Sequence, residues 1–122
     1  MVDAVTLDKM CREWGVCDRV DLIKCDVEGG ELDVWRGAKQ IRSGINPPIW
    51  ILEVDEVFLN EAGTSQDAFN EEILRDGSSP SLYCYVDSSI LKQIAHIRER
   101  QYSNIFVVPQ SRREQFALAA GF

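Results

Sequence analysis

Asp21-Leu-Ile-Lys-Cys-Asp-Val-Glu-Gly-Gly-Glu31 is the stretch on which the reading of this chain turns. Val20, Leu22, Ile23, Cys25 and Val27 read as an apolar strand, and two glycines follow at once. Gly29 and Gly30 suit a tight strand-to-helix turn, because glycine adopts backbone angles closed to other residues. Lys24, Asp26, Glu28 and Glu31 crowd the exit of that strand. A strand buried on both faces tolerates charge only near its end, since an unpaired charge inside the sheet is costly to desolvate. In open α/β sheets that end is also where ligands bind.

Working outward, a helix is expected over 31–42, with Val34, Trp35, Ala38 and Ile41 on one face and Gly44 at its end. Pro47 and Pro48 lead into a second apolar strand, 49–54, whose exit is again acidic with Glu53, Asp55 and Glu56. Upstream, 4–7 reads as a short strand, and Thr6 or Asp8 as the cap of a helix that Gly15 ends. Downstream, Thr64 with Asp67 resembles a capping box opening a helix over 65–75. A loop over 77–81 and a third strand over 82–86 come next. Ser88 or Ser89 is read as the cap of an amphipathic helix reaching Arg100, with Ile90, Leu91, Ile94 and Ile97 at helical spacing. A last strand over 104–109 precedes a short terminal helix over 111–122. Strands alternating with helices predict βαβ units, a mostly parallel sheet and one α/β domain over 1–122.

Composition excludes several classes. An apolar fraction of 45% in 122 residues fits one small globular domain, or part of a larger one, and not a disordered chain. The net charge is −7 and the basic residues are scattered, so no nucleic-acid footprint is expected. The same balance disfavours an anionic membrane surface, and no apolar run is long enough to span a bilayer. Residues 1–8 lack the basic and apolar regions of a signal peptide, so a soluble, cytoplasmic protein is expected. Cys11 and Cys17 have the wrong spacing for a CxxC pair, while Cys25 and Cys84 sit in apolar strands. Buried, reduced thiols are the expectation. His96 is the single histidine, which leaves a His-containing zinc site without support. Trp14, Trp35 and Trp50 are expected in the core.

The pattern resembles the C-terminal half of FkbM-type methyltransferases, a group of class I, S-adenosylmethionine-using enzymes. Thr6-Leu7-Asp8, the run from Asp21 to Gly29, Glu31, Gly37-Ala38 and Ile51-Leu52-Glu53 carry the likeness, which extends over about 5–110. The family's pattern is close to D-L-(I/L)-K-I-D-V-E-G-x-E, with Cys25 here at an aliphatic position and Gly30 where Ala is common. The resemblance implies a partial Rossmann-like sheet of about four strands with flanking helices, the fourth to seventh of seven. It also implies S-adenosylmethionine as cofactor and transfer to a hydroxyl of a small-molecule acceptor.

The departure concerns the cofactor. Family members cradle it in a glycine-rich turn after their first strand, and none of the eight glycines here forms a Gly-x-Gly-x-x-Gly loop. The expectation is therefore a C-terminal piece that lacks strands one to three and needs an N-terminal cofactor-binding half. In the family's order the first strand pairs with the fourth. The strand over 20–27 is then an exposed apolar edge, open to that half or to self-association. The alternative reading is a non-catalytic interaction module derived from a methyltransferase half-sheet.

Methyl transfer to oxygen needs an aligned acceptor hydroxyl that loses its proton as it attacks. Asp26 and Lys24 are the catalytic candidates. Glu28, Gly29 and Glu53 are the candidates for cofactor or substrate binding. Lys24, Asp26 and Glu28 alternate onto one face, so they are expected to approach one another, and such a pairing would lower the acids' pKa. The competing structural reading makes Lys24 and Glu28 an ion pair closing the sheet end, Glu31 a favourable helix-start charge and the glycines a turn. Asp26, Glu28, Glu53 and Asp55 also offer oxygen ligands for a divalent ion. Carboxylates at sheet ends are common without metal, and none is assigned.

Overall fold

A computed structural model describes residues 4–121. Thr6 accepts a hydrogen bond from the Lys9 N–H at 3.1 Å and caps α1 (Leu7–Trp14). Gly15 ends α1 in the left-handed region at φ 66°. The strand expected over 4–7 does not form, because Thr6 is the cap and Leu7 already lies in the helix.

The first strand, β1 (Leu22–Cys25), is shorter than the apolar run that announced it. It pairs in parallel with β2 (Ile49–Glu53), Leu22 beside Ile49 and Cys25 beside Leu52. Between them the chain forms two helices, α2 (Glu31–Arg36) and α3 (Lys39–Ser43), where one was expected. The break has a tertiary cause. The Asp8 carboxylate, on α1, accepts from the backbone N–H groups of Gln40 at 2.8 Å and Ile41 at 3.0 Å. It thereby caps α3 from a remote element, satisfying donors that a helix start leaves open. The Asp8 N–H in turn donates to the Gly37 carbonyl at 3.0 Å.

After β2, Asp55 caps a helix not anticipated, α4 (Glu56–Glu61), accepting from the N–H groups of Val57 and Phe58. The next, α5 (Gln66–Leu74), is capped by Ser65 and not by Thr64. β3 (Ser81–Tyr85) follows.

The helix expected from Ser88 or Ser89 to Arg100 does not exist. The chain turns at Asp87, whose carboxylate accepts from the N–H groups of Ser89 at 2.8 Å and Ile90 at 3.0 Å, and returns as β4 (Leu91–Ile94). Leu91 and Ile94 lie three apart, which reads as helical. In a strand that spacing places them on opposite faces, and both faces of this sheet are covered. Leu91 packs in the smaller core and Ile94 in the larger. His96 therefore lies on no α-helix. Its Nδ1 accepts from the Arg98 N–H at 3.0 Å and caps a 3-10 turn, Ile97–Glu99.

β5 (Asn104–Val108) enters between β2 and β3 and runs antiparallel to both. A 3-10 turn at Gln110–Arg112 then leads into α6 (Arg113–Ala120). The sheet order is β1-β2-β5-β3-β4; β1, β2 and β3 run in one direction and β5 and β4 in the other, so that β1 with β2 is the one parallel pairing among the described strands. The expected, mostly parallel sheet of about four strands is thus a mixed sheet of five. The last strand returns against its neighbours, and β4 is the second arm of a hairpin.

The helices cover the two faces unequally. Leu32, Trp35 and Ala38 beside α2, Leu59 of α4, and Phe69 and Ile73 of α5 fill the larger core with Trp50 and Leu52. Trp35 and Trp50 meet with ring centroids 5.1 Å apart. The other face is packed by Phe116 of α6 against Tyr83 and Val108. Trp14, expected in the core, is 66% exposed at the end of α1. Cys11, Cys25 and Cys84 are buried, Cys17 is half-buried, and all four are free thiols. Among the described residues, no helix is long and apolar enough to cross a membrane.

Candidate active site

Glu31 builds the turn that follows β1. It is the first residue of α2, 1% exposed, and its carboxylate reaches back to accept from the N–H groups of Val27 at 2.6 Å and Gly29 at 2.9 Å. Gly29 has φ 102°, and a Cβ there would stand 2.4 Å from the Phe58 carbonyl oxygen. Only glycine lets this turn touch α4. Glu28, at φ 52°, is one of the few non-glycine residues in the left-handed region. The turn is rigid because Glu31 and Gly29 hold it from beneath.

Asp26 leaves β1 immediately beside Glu53, the last residue of β2, since Cys25 is in register with Leu52. The two side chains are hydrogen-bonded to each other, and the Glu53 carboxyl is pushed up to about 7. The hydrogen bond to Asp26 is the largest cause, followed by burial and then by the negative charges of Asp26, Glu31 and Asp55. Two carboxylates this close cannot both ionise freely, so the pair retains a proton near neutral pH.

Of the five residues singled out in the sequence, the structure brings Asp26 and Glu53 together and separates the rest. Lys24 is exposed, and among the described residues no ion pair links it to Asp26 or Glu28. Strand alternation stops at Cys25, and the positive φ of Glu28 turns the chain before that side chain can face Lys24. Gly29 sits in the steric contact with Phe58. Asp55 is the cap of α4. Burial first, then Glu31 and Asp26, pushes the Cys25 thiol up to about 11, which leaves it un-ionised and unreactive. Among the described residues, no group of three or more His, Cys, Asp or Glu side chains is placed to hold a metal ion.

One strand over from the carboxyl pair is a groove that sequence reasoning missed. Asn104 stands opposite Glu53 in the β2–β5 register, so the two share a face. Asn104 also lines a groove of about 380 Å³ together with Tyr85, Asp87, Ser88, Tyr102 and Ser103. No short motif announces it, because its walls come from β3, the hairpin turn and the entry to β5. A second groove, of about 420 Å³, lies beyond Val54 and carries Arg98 and Arg100. Arg100 is committed there, donating to the carbonyls of Val54 at 3.2 Å and Ile97 at 2.9 Å. A third groove, of about 500 Å³, is lined by Arg42, Pro47 and Asp76 and by neither member of the carboxyl pair.

The methyltransferase FkbM domain matches residues 1–103. The chain belongs to this family. No curated protein and no solved structure matches it. The FkbM match takes in the Asp21–Glu31 turn and both members of the carboxyl pair, and it stops one residue short of β5. Methyl transfer is the chemistry that FkbM membership suggests. For this chain, the acidic exit of β1 and β2 is then the natural place to look for it.

Proposed function

We propose that this chain forms the acceptor side of an S-adenosylmethionine-dependent O-methyltransferase with a class I, Rossmann-like sheet, in which β1, β2, β3 and β5 stand for the family's fourth to seventh strands. The observation that carries the reading is the Asp26–Glu53 pair, with Glu53 raised to about 7. A general base works best when its pKa lies near the operating pH, and such a base contributes about 10²–10⁴-fold. An acceptor hydroxyl placed against the pair hands its proton to the ionised member. The rigid turn under Glu31 keeps Asp26 in place while it does so, and positioning of this kind contributes up to about 7–11 kcal/mol. Lys24 and Glu28, both exposed at the same rim, are assigned to acceptor contacts and not to proton transfer.

The described residues do not form a cradle for the methyl donor. Their glycine turn after a strand is at Gly29, whose missing Cβ is occupied by the Phe58 backbone and whose N–H is taken by Glu31. Among the described residues, β1 has only β2 as a neighbour in the sheet, and Leu22 is 55% exposed. An open apolar edge of this kind supports pairing with a further strand. A cofactor-binding half docked there is the arrangement proposed, with pairing of two copies as the competing one. The same open edge favours the second reading, an interaction module without catalysis.

Calorimetric titration with S-adenosylmethionine tests the choice, with the chain alone and with an FkbM-type N-terminal half added. Binding in the second arm supports the enzyme. Absence of heat in both arms overturns it and leaves the interaction module.

A further inference from the structure

The groove beside the carboxyl pair has a lining that selects its ligand. Tyr85 and Tyr102 supply aromatic rings, Ser88, Ser103 and Asn104 supply hydrogen-bonding groups, and Asp87 is its ionisable carboxylate. Tyr102 is half-exposed, 52% by area. The Tyr85 ring is fixed by an edge-on contact with Phe106, centroids 5.6 Å apart at 74°. Asn104 joins the groove to Glu53 across the β2–β5 register. None of the lining side chains is cationic, and Asp87 with the Asp26–Glu53 pair, which keeps one of its two charges, gives the region a negative field.

We propose that this groove is the acceptor subsite and that it takes a neutral, saturated ring bearing several hydroxyls, of the pyranose type. The proposal rests on the methyltransferase reading for its role, though not for the binding itself. The C–H face of such a ring is weakly positive and packs on the negative face of an aromatic ring. Its hydroxyls are both donors and acceptors, which matches serine and asparagine, able to play either part, and aspartate, which only accepts. A phosphorylated or carboxylated ring meets like charge and no compensating cation. A flat phenol uses the tyrosines but leaves the polar groups beneath it unmatched, which is costly once water is displaced. Asn104, opposite Glu53 in the β2–β5 register, is the link between a ring seated in the groove and the proton acceptor that transfer needs.

The test is saturation-transfer NMR on the full chain, without methyl donor, using methyl β-D-glucopyranoside at millimolar concentration as the probe. Transfer to the ring C–H protons is expected. Tyr102→Ala and Asn104→Ala should each reduce it about fivefold, while Ile45→Ser, at a 98% exposed position by the large groove, leaves it unchanged. Far-UV circular dichroism confirms that each variant is folded. No transfer to the glucoside overturns the proposal, as does an unchanged signal in both groove variants. Equal or stronger transfer to glucose 6-phosphate, or to phenol, overturns the assigned chemistry. Because no donor is present, these outcomes are independent of whether the chain binds S-adenosylmethionine.

Discussion

Two ends of the same sheet hold charge in opposite ways. At the entry to β2, Arg112 is 5% exposed and its guanidinium spans four partners. It donates to the carbonyls of Pro47 at 2.5 Å, Asn46 at 3.3 Å and Val20 at 3.4 Å, and to the Asp21 carboxylate at 3.1 Å. Every interaction there is between a cation and an acceptor. At the exit of β2, Asp26 and Glu53 face each other with like charge, and Glu31 and Asp55 add to it. The first arrangement lowers the energy of the fold. The second raises it once both acids ionise, and persists because β1, β2 and the Glu31-braced turn dictate the geometry. Satisfied charge makes Arg112 a structural bolt, and charge held in tension is the feature on which the proposed site rests.

Removing the bolt should have the largest effect. Arg112→Ala strips the buried Pro47 carbonyl and the part-buried contacts to Val20 and Asn46 of their donor, and is expected to cost about 3 kcal/mol in urea unfolding. A loss under about 1 kcal/mol would break the contrast between the two ends, since Arg112 would then be no more than a surface group.

Next comes the tension itself. In an active, donor-loaded assembly, Asp26→Asn should lower turnover by about 10²-fold. It should also move the rising limb of the pH–rate profile below its wild-type position near 7, because the neighbour that raises Glu53 is gone. Unchanged turnover with an unchanged profile would remove the pair from proton transfer.

The smallest effect is on stability. Glu53 binds its proton more tightly in the folded state than in the unfolded one, where its pKa is near 4.5. Its contribution is therefore present at low pH and lost as pH rises through about 4.5 to 7. Because the side chain is partly exposed, the loss should be on the order of 1 kcal/mol. Glu53→Gln should flatten that part of the wild-type profile, read as the difference between the two denaturation series. Identical slopes would mean that the two carboxyls do not interact.

Much of this was legible along the chain. Thr6 and Gly15 bracket α1 where short-range capping chemistry requires it. The apolar runs at 49–53 and 104–108 are strands because buried strands leave so plain a signature, and 22–25 carries a similar apolar pattern although β1 lies at the exposed edge. Asp26 and Glu53 were visible as acids at strand exits, since each sits at the end of such a run.

Other features depend on groups distant in sequence. Asp8 divides a continuous helical pattern by capping α3 from thirty-two and thirty-three residues away. Leu91 and Ile94 keep a spacing that suits a helix, and only the presence of core on both sheet faces makes it a strand. Lys24 and Glu28 alternate with Asp26 on paper, yet the left-handed Glu28 ends the alternation. The sequence by itself determined where charge collects, because desolvation expels it to strand ends. Which charges meet was decided by tertiary structure alone, because the pairing of Asp26 with Glu53 follows from the β1–β2 register, and that register exists only once two remote strands lie side by side.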